Sequence, residues 1–551
     1  MNGSRIIITA LRSLAALVAV VCVSCDDFLN EPPADRLPSE SFYRTLTQAD
    51  QGVNGIYADL RFIPDYEYGL MAETRSDNTW VNPTPNGQRD YSDIGTFRAG
   101  PSIKTFENVW CAWYKVIYDA NVALAALEDD RCALEAECRL TLEAEARFLR
   151  GWAYFELVRL FGDVPVSLTP LSPAEAASVP RSEAVSVLEG VVLPDLLFAQ
   201  AMPERGEGAN GVGTGRGGRA DRVAAQAMLA RVYVTMLGFP FHDESKRPLA
   251  IKTLDDVLSL QTDYFAPTIN EWRSIWMPEG CPSPYVIFSI QYRSGGFGNP
   301  YIFNIVKNVP QSYVGGVLLR KGGNFQNNDI FVEKTLRHEL ARPHSSGEAD
   351  GRGEGWSVLD GYGAEPGVAA YPTEYESVEV NGLSLSVAVN SMIYKPLPSA
   401  AKCQALGREF DYSQLLDQED WPVAFPVLRI EDMMLLRAEL FAEAGNVAEA
   451  LSLVNAIRLR AGCDAAVAST PAEALLAVER ERRLEFLGEG VRWFDEVRRG
   501  TWRQDILSLL SRYHEPSGTS TSFVSEGRHL FPIPQNQMSV SSGLYAQNPG
   551  Y

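Results

Sequence analysis

The sequence predicts a mostly α-helical protein built from packed helix pairs and interrupted by a loop-rich stretch. Three observations predict it. Apolar residues recur three and four apart through 105–162, as on the buried faces of amphipathic helices. Small residues stand beside large ones there, such as Ala153 next to Trp152, which suits close helix crossing. From about 265 to 400 the pattern breaks, Gly, Pro, Asn and Ser rise, and helical periodicity returns only at 427. The alternation is repeat-like, although no clean period of about 34 residues is visible.

The elements follow in order. Ser41 to Phe62 carries Phe42, Leu46, Val53, Ile56, Tyr57 and Leu60 at helical spacing. Trp110, Trp113, Tyr114, Ile117, Ala120, Asn121 and Leu124 define a second helix. A third runs through Phe148, Trp152 and Leu160 and stops at Gly162-Asp-Val-Pro165. Further helices are expected at about 184–203 and 220–237. Residues 205–218 form a glycine-rich loop that follows no strand, so they do not make a phosphate cradle. Short alternating pieces at 285–291 and 378–387 read as minor strands, the second containing the hairpin signal Asn381-Gly382. Helices return at 427–446, 447–461 and 471–488, and the tail, 514–551, reads as extended and polar.

The N-terminus says where the chain goes. Arg5 and Arg12 precede an apolar run, Leu14 to Val23, too short to cross a bilayer and followed by Ser24-Cys25-Asp26-Asp27. That arrangement reads as a secretory signal over 1–24 and resembles the lipobox of bacterial lipoproteins, with Cys25 as the lipidated first residue. Cys22 departs from it, standing where a Leu is usual. An ordinary cleaved signal is the alternative. A diacylglycerol and an N-acyl chain on Cys25 are enough for stable anchoring. Residues 25–40 would be a tether and 41–551 a single domain, with its helical scaffold at about 41–250 and 425–500 and its ligand-facing loops at about 265–425.

The chain has 551 residues and a formal charge of −21; losing residues 1–24 removes two arginines and leaves the mature part near −23. That charge repels phosphate backbones and argues against nucleic acid as a partner. The cysteines and five histidines show no metal-ligand spacing, so neither zinc nor any cofactor is expected. The loop acids leave room for a structural calcium, without an EF-hand-type spacing. Cys132 and Cys138 lie close enough in sequence to pair or to stay as thiols. No two carboxylates stand out as a glycosidase pair. Glu479, Glu481 and Glu485 with Arg480, Arg482 and Arg483 fit helix-surface ion pairs, with Glu485 and Arg492 more buried.

Several segments resemble the SusD/RagB family of outer-membrane nutrient-binding lipoproteins. They are the start Cys25 to Pro33 (CDDFLNEPP), Glu143 to Pro165 (EAEARFLRGWAYFELVRLFGDVP) and Gly218 to Tyr233 (GRADRVAAQAMLARVY). Nearer the end come Arg429 to Glu439, Asn455 to Gly462, Glu479 to Gly500, Leu530 to Gln535 and the closing Gln547 to Tyr551. They occur in family order over nearly the whole chain. The resemblance implies a tetratricopeptide-like helix-pair scaffold and a non-enzymatic protein at the cell surface. It further implies that the protein captures oligosaccharides, or peptides in some members, and passes them to a SusC-like TonB-dependent transporter in the outer membrane. A structural or assembly subunit is the other reading.

Ligand contacts are expected in loops held by the scaffold. Sugar rings stack C–H faces on aromatic rings, and their hydroxyls need amide or charged partners. The best cluster is Asp77 to Asn86, with Trp80 and Asn82 leading and Asn78 beside them, followed by Tyr91. In the resembled family this position supplies a stacking aromatic and a polar partner; scaffold packing of Trp80 is the alternative. Gly295 to Asn304 offers Tyr301 and Phe303 among glycines that let a backbone approach a ligand. Asn324 to Asn328 offers Phe325, and Trp356 with Arg352 is a further candidate. Trp110, Trp113, Trp152 and Trp493 read as core.

Overall fold

The computed structural model describes residues 42–81, 89–129, 132–205, 218–278, 282–305, 330–361, 373–417, 419–513 and 521–551. The expected signal, Cys25 and the expected tether lie outside them, as do Asn82 and Phe325.

The scaffold is helical. α1 (Leu46–Asp59) begins at Thr45, whose hydroxyl and the Gln48 side chain form a reciprocal cap. A π-helical segment, Pro64–Glu73, follows; it buries Asp65, Glu67 and Glu73, a polarity that hides it from periodicity. α2 (Lys104–Glu128) and α3 (Ala136–Phe161) pack against each other as the longest pair. Their seam holds Trp113 against Trp152, edge to face at 5.0 Å, both fully buried. Truncating either indole would cost about 3–5 kcal/mol. The region expected at 184–203 is helical over 184–199 with a π-helical turn, Leu188–Val192, and ends in α4 (Leu193–Ala199). α5 (Arg222–Leu237) is capped by Asp221, which accepts from the Ala224 backbone N–H at 2.8 Å. α6 (Arg247–Leu258) packs on α5.

Among the described residues, the strands pair as two-stranded sheets. β1 (Thr79–Val81) pairs antiparallel with β3 (Ile330–Val332), and β2 (Phe288–Ile290) with β6 (Phe425–Leu428). β4 (Tyr375–Val380) and β5 (Leu383–Ala388) form the expected hairpin; Asn381 and Gly382 have φ of 53° and 79°, as a type I′ turn requires. α7 (Lys334–Ala341) lies against this hairpin.

α8 (Ile430–Glu443), α9 (Val447–Arg460) and α10 (Pro471–Glu485) pack on one another, followed by α11 (Arg492–Arg498) and α12 (Trp502–Tyr513). The charges of α10 overturn the surface-pair expectation. Glu481 and Arg482 are buried, and Glu485 and Arg492 are buried as expected. Glu485 meets Arg352 at 2.8 Å, Arg429 at 2.8 Å and Arg460 at 2.6 Å. Its partners come from other elements, so i, i+4 spacing had no bearing on them. The described part of the tail is also not a free extended strand. Phe531, Ile533, Tyr545 and Asn548 are buried, and Phe531 N–H donates to the Leu160 carbonyl at 2.7 Å.

Cys132 and Cys138 are buried thiols with no disulfide between them. Among the described residues, no helix is long and apolar enough to cross a membrane.

Candidate functional site: a Trp80 platform

β1 is three residues long and alternates, so Thr79 and Val81 are buried and Trp80 turns to the other face. Trp80 is half-buried. Its cross-strand neighbour Phe331 lies 4.8 Å away at 36°, and Tyr513, the last residue of α12, stacks on it at 4.9 Å and 11°. The indole Nε1 has no hydrogen-bond partner among the described residues. The result is an aromatic slab, partly open to solvent at the Trp80 ring, with the indole Nε1 itself buried.

Charged groups brace the slab. Tyr513 donates its hydroxyl to Glu333 at 3.2 Å and accepts from the Lys334 backbone N–H at 2.9 Å. Burial, reinforced by Glu333, raises the Tyr513 phenol, which stays protonated as a donor. Glu333 is fully buried and caps α7 through the Thr335 and Leu336 N–H groups at 2.8 and 3.1 Å. The Lys334 ammonium stands 5.5 Å from the Tyr513 ring centre and pairs with Glu376 at 2.8 Å. Exposed Arg512 reaches Glu333 at 3.4 Å.

The structure places the other candidates differently. Asn78 is buried; it donates to Glu73 at 3.1 Å and accepts from Arg483 Nε at 3.0 Å. It holds β1 from beneath and does not face a ligand. Tyr301 is fully buried, packs edge-on against Phe425 at 5.0 Å and donates to the Gly488 carbonyl. Its ring belongs to the core and offers no stacking face. The neighbouring glycines serve packing and turns. A Cβ on Gly298 would lie 2.1 Å from the Asp420 backbone, while the Gly295 and Gly296 N–H groups donate to the Asp420 carboxylate at 2.8 Å. The Phe303 and Asn304 side chains are outside the described set. Trp356 is half-buried with the Arg273 guanidinium 4.2 Å from its ring centre, whereas Arg352 is locked in the buried ion network. Tyr91 is buried, and Trp110, Trp113, Trp152 and Trp493 are core as expected.

Sequence reasoning missed Phe331, Tyr513 and Lys334. The only local sign was aromatic residues flanking short polar segments. Their meeting depends on chain separations of about 180 to 430 residues, which spacing does not reveal.

One acid cluster has metal-like proximity. Carboxylate oxygens of Asp77, Glu496 and Asp505 lie within 4.8 Å of one another. Arg492 already supplies the countercharge, with Nε at 2.7 Å from Asp77 and 3.0 Å from Glu496. Burial alone would raise the Asp77 carboxyl, but Arg483 and Arg492 hold it well below the usual range. The cluster reads as an ion-paired brace within the helical scaffold.

Helix-pair scaffold, small two-stranded sheets and an aromatic slab on a short strand together define a SusD-like fold. A SusD family model matches residues 417–551, and a second, described as starch-binding associating with outer membrane, matches 27–234. SusD-like proteins P2 and P25 of Formosa agariphila are 23% and 24% identical to the chain, covering 97% and 96% of it and 98% and 97% of their own lengths. Among solved structures, a SusD homolog from Bacteroides thetaiotaomicron superposes with a TM-score of 0.72 at 20% identity, over 93% of this chain and 98% of that one. A laminarin-binding SusD-like protein superposes with a TM-score of 0.67 at 23% identity, over 92% of this chain and 99% of its own. Surface glycan-binding protein A from Bacteroides fluxus gives 0.67 at 20% identity, over 92% and 99%. Two segments of the chain thus match SusD family models, and the chain as a whole has the SusD-like fold.

Proposed function

We propose that this protein is a lipid-anchored, cell-surface glycan-binding protein that captures an oligosaccharide on the Trp80 platform and hands it to a SusC-like TonB-dependent transporter. The observation that carries the reading is the half-buried Trp80 indole, on a strand tied to the scaffold and backed by Tyr513 and Phe331. A sugar ring stacked on it would gain apolar contact at little entropic cost, because the slab is already ordered. Trp80 would supply the stacking face, and Asn82 and Phe325, outside the described residues, would complete the contacts. Affinity in the micromolar-to-millimolar range, about −4 to −8 kcal/mol, suits capture followed by release.

Lipidation at Cys25 would tether the domain to the outer membrane, and the family model's outer-membrane association supports that placement. A glycan array probed with residues 26–551 tests the reading. A set of related oligosaccharides binding would support it and name the glycan class. A blank array, with binding to peptides instead, would overturn it.

A further inference from the structure

One cavity shares no residue with the Trp80 platform. It has a volume of about 350 Å³ and lies where the end of α3, the turn after α5, α11 and the C-terminal segment converge. Its walls include Phe239, Phe241, Phe494 and Leu530, and its charged or titratable groups are Arg159, Arg181, Arg498, His529 and Asp163. That is the composition of a small-molecule pocket, mostly apolar with a few placed polar atoms and within the usual size range of about 300–1,000 Å³. An apolar cavity of about 150 Å³ takes one benzene, so this one has room for a bicyclic body.

Arg181 sets the charge preference. Its guanidinium donates to the carbonyls of Asp163 and Ala546 at 2.7 Å each, to the Phe161 carbonyl at 3.3 Å and to Asn548 Oδ1 at 2.7 Å. All four acceptors are neutral. Among the described residues it has no carboxylate within ion-pairing distance, unlike Arg498, paired with Glu439 at 2.6 Å, and Arg159, paired with Glu156. The Asp163 carboxylate accepts from the Ala184 backbone N–H at 2.9 Å and acts on Arg181 through space without an ion pair, so it partly offsets the arginine's charge. Arg181 holds five N–H donors and these bonds use four. His529 Nδ1 is buried without a hydrogen-bond partner among the described residues, and its ring lies 4.9 Å from that of Phe239.

We propose that this cavity is a binding site for a small aromatic monocarboxylate, its ring system against Phe239, Phe241 and Phe494 and its carboxylate on Arg181. The site is independent of glycan capture, and its failure would leave the Trp80 reading untouched.

Calorimetric titration of the mature chain with 2-naphthoate, 2-naphthalenemethanol and glucuronate tests it. Naphthoate is expected to bind at least about tenfold more tightly than the alcohol, whose hydroxyl lacks the charge-assisted bond. Glucuronate, without an apolar body, is expected to be silent. Ala184→Trp, which adds bulk to the cavity wall without removing any of these bonds, should abolish naphthoate binding. Arg181→Lys should retain binding, and Arg181→Gln should lower it to the level of the alcohol. No naphthoate binding to the wild-type chain, equal binding of acid and alcohol, preference for glucuronate, or unchanged binding in Ala184→Trp would each overturn the proposal.

Discussion

Arg483, in α10, donates from Nε to Asn78 Oδ1 at 3.0 Å and from Nη2 to the Asp77 carbonyl at 2.6 Å, bonding a helix near the end of the chain to the residues just before Trp80. The Asn78 carbonyl in turn accepts from the Glu333 N–H at 2.8 Å, beside the strand that carries Phe331. The aromatic slab is therefore positioned by the C-terminal repeat, about 400 residues away in sequence. This gives the family's C-terminal signature a physical role in the site.

Arg483→Met should loosen β1. Two hydrogen bonds from a partly buried charged group are lost, and such bonds are each worth about 1.5–3 kcal/mol. Urea denaturation should show lower stability, and glycan affinity should fall while the set of glycans bound stays the same. An unchanged midpoint and affinity would remove Arg483 as the brace.

Glu485→Gln should be comparably damaging. Glu485 is fully buried among Arg352, Arg429 and Arg460 and also accepts from Trp272 Nε1 at 2.8 Å. Breaking a buried ion network from one side costs about 3–5 kcal/mol. Burial alone would raise this carboxyl, yet Arg460, Arg429 and Arg352 hold it well below the usual range. Its stabilisation is therefore full above the unfolded value of about 4.3 and is lost as pH falls below it. Denaturation from pH 7 to pH 3 should show a smaller acid loss in Glu485→Gln than in wild type.

His529 predicts a second pH dependence. Burial, with a smaller contribution from Arg75, lowers its pKa to about 4 from the ordinary imidazole value of 6.5. The folded state favours the neutral ring, so the unfolded chain binds more protons between these values. Stability is complete above about 6.5 and declines as pH falls toward 4. His529→Phe, keeping a ring beside Phe239 and Trp502, should flatten the difference in denaturation midpoint between pH 7 and pH 5. A variant with the wild-type slope would assign that slope to other groups.

Much of the scaffold was legible because burial imposes periodicity. The Trp113–Trp152 seam and the Asn381-Gly382 turn were written in local spacing. The Pro64–Glu73 segment was not, because Glu67 and Glu73 are carboxylates whose burial depends on distant partners; Trp113 Nε1 donates to Glu67 at 2.5 Å and the Gly490 N–H to Glu73 at 2.9 Å. At the site, Trp80 stood out as a loop aromatic beside amides. Tyr301 stood out for the same reason, yet its surrounding glycines answer to Asp420 and its hydroxyl to Gly488. Composition does not separate a glycine that admits a ligand from one that admits another backbone.

The most direct measurement is a calorimetric titration of an array-selected oligosaccharide into wild-type protein and into Trp80→Ala, with circular dichroism confirming that both are folded. Loss of most of the binding in a folded Trp80→Ala is the predicted result. Wild-type affinity in that variant would contradict the account and return Trp80 to the role of a loop anchor.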